Sequence, residues 1–252
     1  MKKIIFIVLH IFIGVLTAQN SDFFERGNTL YNEGKFAEAI AQYEQVLAND
    51  VHSAELYFNI GNAHYKLNNI APSIYYFEKA LQLKPNDEEI KNNIAFARNM
   101  TIDAIDTVPE VGFSRLFKNF INIMSSDTWA MIAISGVFIF VILFLAYRFS
   151  YASSRKRLAF IISVFALMIS GVSLIMAFQK TRLENKNKPA IVFAQESPVK
   201  AEPNLRSEES FRLHEGTKVQ VLDTLNDWKK IKLSDGSIGW ILSDDIKLLN
   251  PF

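Results

Sequence analysis

The chain contains no cysteine. This absence excludes disulfide bonds, thiolate catalysis, Cys-ligated metals and a lipid-modified N-terminal cysteine, although it says nothing about the redox compartment. The chain also lacks a surplus of charge, with 27 basic and 26 acidic side chains among 252 residues. Because no overall field attracts polyanions, nucleic-acid binding is not expected.

Patterns that carry catalysis or metal binding are missing as well. The sequence has no glycine-rich phosphate loop, no H-E-x-x-H helix and no G-x-S-x-G nucleophile elbow. The four histidines are scattered, and His64 falls on a predicted helix where packing is its expected role. We therefore expect a protein that is not an enzyme and that uses no cofactor and no metal.

Half of the residues are apolar, and the excess lies in three runs near residues 4–18, 128–147 and 158–178. The first run follows a basic N-terminus and ends in small residues. This order is typical of a secretory signal peptide at residues 1–18, cleaved after Ala18, or of an uncleaved signal anchor. Either form would export the chain from residue 20 onward.

Residues 20–53 and 54–87 are two copies of one pattern and align without a gap. The second copy resembles the tetratricopeptide repeat (TPR), a helical hairpin that stacks into a solenoid. Residues 88–100 predict a capping helix, so that the module covers 20–100. Each hairpin has a glycine for close approach, a small residue at the helix crossing and an aromatic between repeats: Gly27, Ala39 and Tyr43, then Gly61, Ser73 and Phe77.

The resemblance implies a concave groove, lined by the first helix of each repeat, that binds extended peptides or partner helices. Asn28 and Asn62 offer a donor and an acceptor to a peptide backbone, or are simply solvated surface residues. Tyr31 and Tyr65 contact the ligand or pack between helices. The predicted groove residues are Phe24, Asn28 and Tyr31 in the first copy, and Phe58, Asn62, Tyr65 and Lys66 in the second.

One TPR subfamily holds a terminal carboxylate with basic residues. Here Phe24, Glu89 and Asn93 occupy those basic positions. No carboxylate clamp is expected, and the predicted ligand is an internal segment of apolar or mixed character.

Two apolar stretches, residues 128–148 and 158–178, are each long enough to cross about 30 Å of hydrocarbon as a helix. Before them, residues 113–124 predict an amphipathic helix that lies in the membrane interface or packs on the TPR cap. The short loop between the stretches, counted with Arg148 at the end of the first, carries four basic residues and no acidic one, which favours a cytoplasmic loop with both flanking modules outside. The four residues are Arg148, Arg155, Lys156 and Arg157. Basic residues also follow the second stretch, so the orientation depends on the signal peptide.

Short strands separated by Asx and Gly turns predict a small antiparallel barrel at residues 189–250. Five strands are predicted, at 190–194, 218–222, 228–233, 238–242 and 246–249. The strings W-x-K-I-x-L-x-D-G and G-W-I within this segment resemble the bacterial SH3 family. Such domains commonly bind cell-wall peptides or protein segments, which makes Phe211, Trp228 and Trp240 candidate contacts, although both tryptophans could instead be core residues.

The order of these parts, with the string Ser-Ser-Asp-Thr-Trp leading into the first span, resembles the BatE family, named for the Bacteroides aerotolerance operon. The resemblance covers essentially the whole chain. It implies a multidomain membrane protein with an α-helical TPR solenoid, a two-helix transmembrane hairpin and a small all-β SH3-like barrel. It also implies partners encoded alongside, namely von Willebrand-factor-A-type membrane proteins and a MoxR-type AAA ATPase.

The expected function is a non-enzymatic interaction scaffold of the cell envelope, anchored in the inner membrane with its TPR and SH3-like domains in the periplasm. The alternative is a module that tethers the membrane to peptidoglycan through the SH3-like domain. The two alternatives differ in which domain holds the principal ligand.

Overall fold

The computed structural model describes residues 21–103, 105, 112–186 and 188–249, and only the backbone of residues 113, 114 and 185. The predicted signal peptide at residues 1–18 lies outside this part of the chain. The chain divides into two compact units. The first combines Met1–Thr107 with Lys188–Phe252, and the second is Val108–Asn187.

Between residues 21 and 103, the first unit contains five helices. Helices α1 and α2 make one hairpin, α3 and α4 make a second, and α5 packs on α4. Side-chain caps start two of the helices: the Ser53 hydroxyl accepts from the Leu56 N–H, and the Asp87 carboxylate accepts from two backbone N–H groups. The helices are α1 (residues 21–32), α2 (Phe36–Ala48), α3 (Ala54–Lys66), α4 (Ile70–Leu83) and α5 (Glu88–Arg98).

The two helices of the second hairpin approach closely at Gly61. A Cβ atom there would lie 2.7 Å from Cδ1 of the fully buried Phe77. The Ser73 hydroxyl donates to the Gly61 carbonyl at 3.0 Å, at the crossing where a small residue is predicted. Gly27 and Tyr43 repeat this arrangement in the first hairpin, so the pattern in the sequence corresponds to real packing.

The C-terminal part of the first unit is a seven-stranded antiparallel sheet in the order β3-β2-β6-β5-β4-β1-β7. Its inner face packs around fully buried Val199, Ile231 and Ile241. The strands are β1 (Pro189–Val192), β2 (Glu196–Lys200), β3 (Glu209–His214), β4 (Lys218–Leu225), β5 (Trp228–Lys232), β6 (Ile238–Leu242) and β7 (Ile246–Leu248).

The prediction of five strands is wrong in number, because β2 and β3 are additional. Pro198 favours a turn or linker in sequence, since proline cannot donate to a strand ladder. In the structure β2 pairs along its length with β3, whereas its register with β6 consists of the single pair Lys200↔Trp240. Pro198 is therefore tolerated because one side of β2 is mostly open at that point.

The sheet and the TPR helices share one core. Ile191 of β1 and the buried Leu249 belong to the same apolar cluster as Ile74 and Phe77 of the second repeat. At the turn between β3 and β4, a Cβ atom on Gly216 would lie 3.0 Å from Ile74 Cδ1. Because that glycine has φ +87° and touches α4, this turn is fitted to the helix surface.

Charged groups also join the two domains. The buried Glu78 carboxylate on α4 accepts from Arg98 Nη2 at 2.6 Å and from Lys218 Nζ of β4 at 2.7 Å. Asp103 accepts from the His214 N–H and ring and from the Thr217 hydroxyl. The TPR helices and the sheet therefore form one structural unit, which the sequence did not reveal.

The second unit contains α6 (Phe113–Ile121), α7 (Ser126–Phe149) and α8 (Ser153–Lys186). By length and composition, α7 and α8 are both able to cross a membrane. They pack closely at Gly136, where a Cβ atom would lie 2.9 Å from Ser170 Cβ, and the Ser170 hydroxyl donates to the Ala133 carbonyl at 2.6 Å. Small residues therefore bring the two helices together.

Helix α6 is tied to both long helices. The Trp129 indole donates to the Ile121 carbonyl at 3.1 Å, and Lys180 Nζ donates to Asn122 Oδ1 at 2.8 Å. Trp129 is almost fully buried, whereas Leu116 and Phe120 of α6 are exposed. This leaves an apolar face on α6 within the second unit.

Gly136→Leu is expected to destabilise the α7–α8 pair by about 1–3 kcal/mol, because the larger side chain overlaps Ser170 and the Ala166 carbonyl. Equilibrium unfolding of the full chain in detergent, followed by a distance probe between the helices, measures this change. Gly171→Leu is the matched control, since a Cβ atom there meets nothing within 4 Å. Equal destabilisation by both substitutions would contradict the packing described.

Candidate functional site

Asparagine pairs connect the first helices of successive repeats. Asn59 Nδ2 on α3 donates to Asn28 Oδ1 on α1 at 3.0 Å. Asn93 Nδ2 on α5 donates to Asn62 Oδ1 on α3 at 3.1 Å. We call the surface of α1, α3 and α5 that carries these four residues the groove face. The same amide pair is thus built twice, one repeat apart.

Each pair leaves one NH2 group and one amide oxygen for a ligand. The amide nitrogens of Asn28 and Asn62 and the amide oxygens of Asn59 and Asn93 have no hydrogen-bond partner in the part of the chain that the structure describes. A peptide backbone presents a carbonyl acceptor and an N–H donor at every residue except proline. The groove face therefore offers the complement of an extended chain at two places.

Tyr43 of α2 also holds the first asparagine pair, Asn28 and Asn59, in place. Its hydroxyl donates to Asn28 Oδ1 at 2.8 Å. Burial is the main reason that the pKa of Tyr43 rises to about 12. The nearby Tyr31, Glu25 and Glu55 raise this pKa further, and a hydrogen bond with the Asn59 side chain lowers it. The phenol consequently stays protonated as a donor, and the amide of Asn28 is held in one orientation.

The predicted aromatic residues of the groove are partly buried in the core and partly exposed. The half-buried rings of Phe24 and Phe58 tilt against Tyr43 and Phe77 respectively, each with centroids 5.8 Å apart. The half-buried Tyr31 packs edge-on against Phe36, with ring centroids 5.2 Å apart. The half-buried Tyr65 lies against the core of the second repeat, and Lys66 is exposed.

The sequence did not identify Asn59 as a member of the groove, and it placed Asn93 at a clamp position without predicting its pairing with Asn62. A signal for them was present, because Asn93 of the cap aligns with Asn59 when the repeat is continued past residue 87. The acidic residues Glu55 and Glu89 align in the same way, and both are exposed. The groove face is therefore bordered by carboxylates at the start of α3 and α5.

The second candidate surface is the solvent side of β5 and β6. Lys230 lies opposite Trp240, Lys232 lies opposite Ile238, and Trp228 lies opposite Leu242. We call this the outer sheet face. Trp240 is half-buried, with Lys230 Nζ 5.8 Å from its ring centre, whereas Trp228 is only 9% exposed. Trp240 is thus available to a ligand, while Trp228 mainly packs.

Phe211 does not join this surface. It pairs with the fully buried Val199 and packs on the inner core of the sheet. Lys200, the next residue along β2, pairs with Trp240. Because side chains alternate between faces along a strand, Phe211 lies on the opposite side of the sheet from Trp240.

Two protein-family models match the chain. The Tetratricopeptide repeat model matches residues 24–88, and the Bacterial SH3 domain model matches residues 198–247. A comparison with curated proteins gives no match. The chain therefore contains TPR and bacterial SH3 domains, and both of these resemblances are confirmed. TPR domains suggest protein–protein interaction, and bacterial SH3 domains suggest binding to the cell wall.

Proposed function

We propose that the protein is a non-enzymatic scaffold, anchored in the membrane of the cell envelope, whose groove face holds an extended internal segment of a partner protein. The observation that carries this proposal is the repeated asparagine pair, which presents a donor and an acceptor in each of two adjacent repeats. Side-chain amides placed in register along a groove recognise a backbone without demanding a particular sequence. The half-buried rings of Phe24 and Phe58 add apolar contacts beside them.

The charges on the groove face support an internal segment over a chain terminus. A terminal carboxylate requires cationic donors. The exposed carboxylates Glu25, Glu55 and Glu89 lie on the helices that carry the asparagine pairs, and Lys66 is the single basic residue among the predicted groove positions. A free carboxylate would be repelled there, whereas an uncharged or basic internal segment would not.

Membrane anchoring is proposed from α7 and α8. Each is long and apolar enough to span a bilayer. The basic loop between them favours a cytoplasmic hairpin tip, and the signal-like residues 1–18 favour export of the TPR domain. The proposed location is the inner membrane, with two crossings and with the TPR and bacterial SH3 domains in the periplasm.

The order of the domains supports a finer proposal, membership of the BatE family. In that case the segment held by the groove belongs to a von Willebrand-factor-A-type membrane protein or to a complex that includes a MoxR-type AAA ATPase. The process served would be aerotolerance or a related envelope stress response. This assignment rests on the arrangement of the whole chain rather than on any single residue.

The alternative function is attachment to peptidoglycan through the bacterial SH3 domain. The half-buried Trp240 on the outer sheet face favours it, because aromatic rings contribute large contact areas at binding sites. Sedimentation of the full-length protein, in detergent, with purified cell wall tests this function. The wall-binding proposal requires co-sedimentation that Trp240→Ala abolishes, and the groove proposal requires none.

Asn62→Ala/Asn93→Ala is expected to reduce partner recovery about tenfold, because it removes one donor and one acceptor that the ligand backbone uses, equivalent to about 1.4 kcal/mol. Affinity capture of the full-length protein from native membranes, after crosslinking and with quantitative mass spectrometry, provides the measurement. Asn86→Ala/Asn99→Ala is the matched control, since both residues are exposed and outside the pairs. Unchanged recovery with the groove variant would exclude the groove as the capture site.

A further inference from the structure

Three lysines surround Trp240 on the outer sheet face. The register places Lys230 of β5 and Lys200 of β2 on opposite sides of Trp240. Lys232 lies two residues further along β5 on the same face. It is opposite Ile238, which is 49% exposed. The result is a basic surface with a small apolar centre, assembled from the β5–β6 hairpin and from β2, which lies about 30 residues earlier in the chain.

The lysines of this surface form no close ion pair. Among the residues that the structure describes, Lys200, Lys230 and Lys232 form no ion pair within 4.0 Å, and neither β5 nor β6 contains an acidic residue. Asp223 of β4 lies opposite Lys230 in the sheet register, but its carboxylate accepts from the Thr224 N–H at 2.8 Å. Glu209 acts electrostatically with Lys200 but is already bound by Arg212 through two hydrogen bonds, at 2.9 and 3.0 Å. The contrast is Lys218 of β4, which is paired with the buried Glu78.

We propose that the outer sheet face is a second binding surface, which takes an acidic polypeptide segment in extended conformation. Lys230 and Lys232 are two residues apart on one strand, so their side chains are roughly 7 Å apart. Alternate side chains of an extended ligand have the same spacing. A segment with acidic residues at every second position therefore matches the lysines, and Ile238 and the edge of Trp240 contact the residues between them.

The position of Lys230 favours a polypeptide over a base or a sugar. Its ammonium group lies over the Trp240 ring, 5.8 Å from the centroid, and so occupies the face on which a planar ligand would stack. Ammonium groups are strong donors to carboxylates. Such charge-assisted hydrogen bonds orient the ligand, and the opposite charges speed its association. The surface consequently recognises the charge pattern of its ligand rather than a ring.

This binding surface is distinct from the groove face. The groove face is bordered by Glu25, Glu55 and Glu89, whereas the outer sheet face carries three unpaired lysines. The same partner segment cannot suit both surfaces on charge grounds. The proposal therefore does not depend on the groove function, and the two can be tested separately.

The test uses the full-length protein in nanodiscs of zwitterionic lipid and a fluorescein-labelled decapeptide of alternating Glu and Thr. Fluorescence anisotropy is expected to show binding that weakens as salt rises from 50 to 300 mM. Lys230→Glu/Lys232→Glu is expected to weaken it at least tenfold, and Lys230→Gln/Lys232→Gln by a smaller factor. Peptides of alternating Lys and Thr, or of Gln and Thr, are expected not to bind.

Two controls isolate the surface. Lys84→Glu/Lys188→Glu introduces the same charge change at exposed lysines elsewhere and should leave peptide affinity unchanged. The groove variant Asn62→Ala/Asn93→Ala should also bind the peptide normally, which separates this result from the groove function. Circular dichroism of each variant verifies that the sheet is retained, and the glutamine variant serves if the glutamate variant does not fold.

The proposal is overturned if the folded charge variant binds the acidic peptide as tightly as the unaltered protein. It is equally overturned if the Lys-Thr peptide binds with similar affinity. Soluble peptidoglycan fragments and oligothymidine are tested in parallel. Tighter binding of either, lost in Lys230→Glu/Lys232→Glu, would assign the surface to that ligand and not to an acidic polypeptide.

Discussion

Asp103→Ala is expected to loosen the bacterial SH3 domain from the TPR helices. The Asp103 carboxylate accepts from the His214 N–H at 2.7 Å, from the His214 ring at 2.7 Å and from the Thr217 hydroxyl at 2.6 Å. Hydrogen bonds to a charged group contribute about 1.5–3 kcal/mol each but are not additive. We expect the contact between the domains to weaken by about 2–4 kcal/mol.

Hydrogen exchange of the full-length protein measures this effect. Faster exchange is expected in β3 and β4 and on the surface of α4 that faces them, while α1 and α2 remain protected. Complete unfolding is not expected, because Glu78 still joins Arg98 to Lys218 and the apolar contacts of Ile191 remain. Asp244→Ala is the control, since that residue is exposed on the same sheet domain. Identical exchange in both variants would show that Asp103 does not stabilise the contact between the domains.

Acid should produce the same loosening in the unaltered protein. Burial alone would raise the pKa of Asp103, but the hydrogen bonds from Thr217 and His214 hold it below its ordinary value of 3.8. A carboxyl group whose pKa is lowered by folding stabilises the folded state above its ordinary pKa and loses that contribution as pH falls through the lowered value. The interface is therefore expected to be constant above about pH 4 and to weaken below it.

The contact between the domains could not be predicted from the sequence because it depends on single polar residues far apart in the chain. In sequence, Asp103 and Glu78 are indistinguishable from solvated surface carboxylates. Their partners His214 and Lys218 lie more than 100 residues later. By contrast, the TPR hairpins were predictable because Gly61 and Phe77 belong to a repeated local pattern.

The sheet was predictable only where sequence signals were local. Strands β4 to β7 are bounded by turns such as Asn226 and Gly236, both with positive φ, and these turns mark the strand ends directly. Strand β2 was missed because Pro198 argues against a strand unless the neighbouring pairing is known. The groove was predicted in part. Asn28 and Asn62 were predicted and Asn93 was placed at a clamp position, whereas Asn59 and the pairing of the asparagines between helices required the structure.

Lowering the pH from 7 to 4.5 is expected to destabilise the TPR domain through His64. This ring stacks on Tyr76 with centroids 5.6 Å apart and an angle of 6°. Burial, reinforced by the charge of Lys247, lowers the pKa of His64 from 6.5 to about 4. Asn69 Nδ2 lies 3.2 Å from the His64 Nδ1 atom and can only donate to it, so that nitrogen must be unprotonated.

The direction of the effect follows from which state binds the proton first. As pH falls below about 6.5, His64 in the unfolded chain becomes protonated while the folded ring stays neutral, so the free energy of unfolding decreases with pH. The decrease stops near pH 4, where the folded protein also takes up the proton. A loss of about 2 kcal/mol is expected, after allowance for solvent screening at the exposed edge of the ring.

His64→Phe should remove this pH dependence, because phenylalanine keeps the stacking on Tyr76 but cannot be protonated. Hydrogen exchange in α3 and α4 between pH 4.5 and 7, corrected for the intrinsic exchange rate, compares the two proteins. This pH range lies above the range in which Asp103 takes up a proton, so the two effects can be separated. If the free energy of unfolding still depends on pH in His64→Phe, or does not depend on pH in the unaltered protein, then His64 is not the group that binds the proton. With the slope removed, the variant should be the more stable protein at pH 4.5.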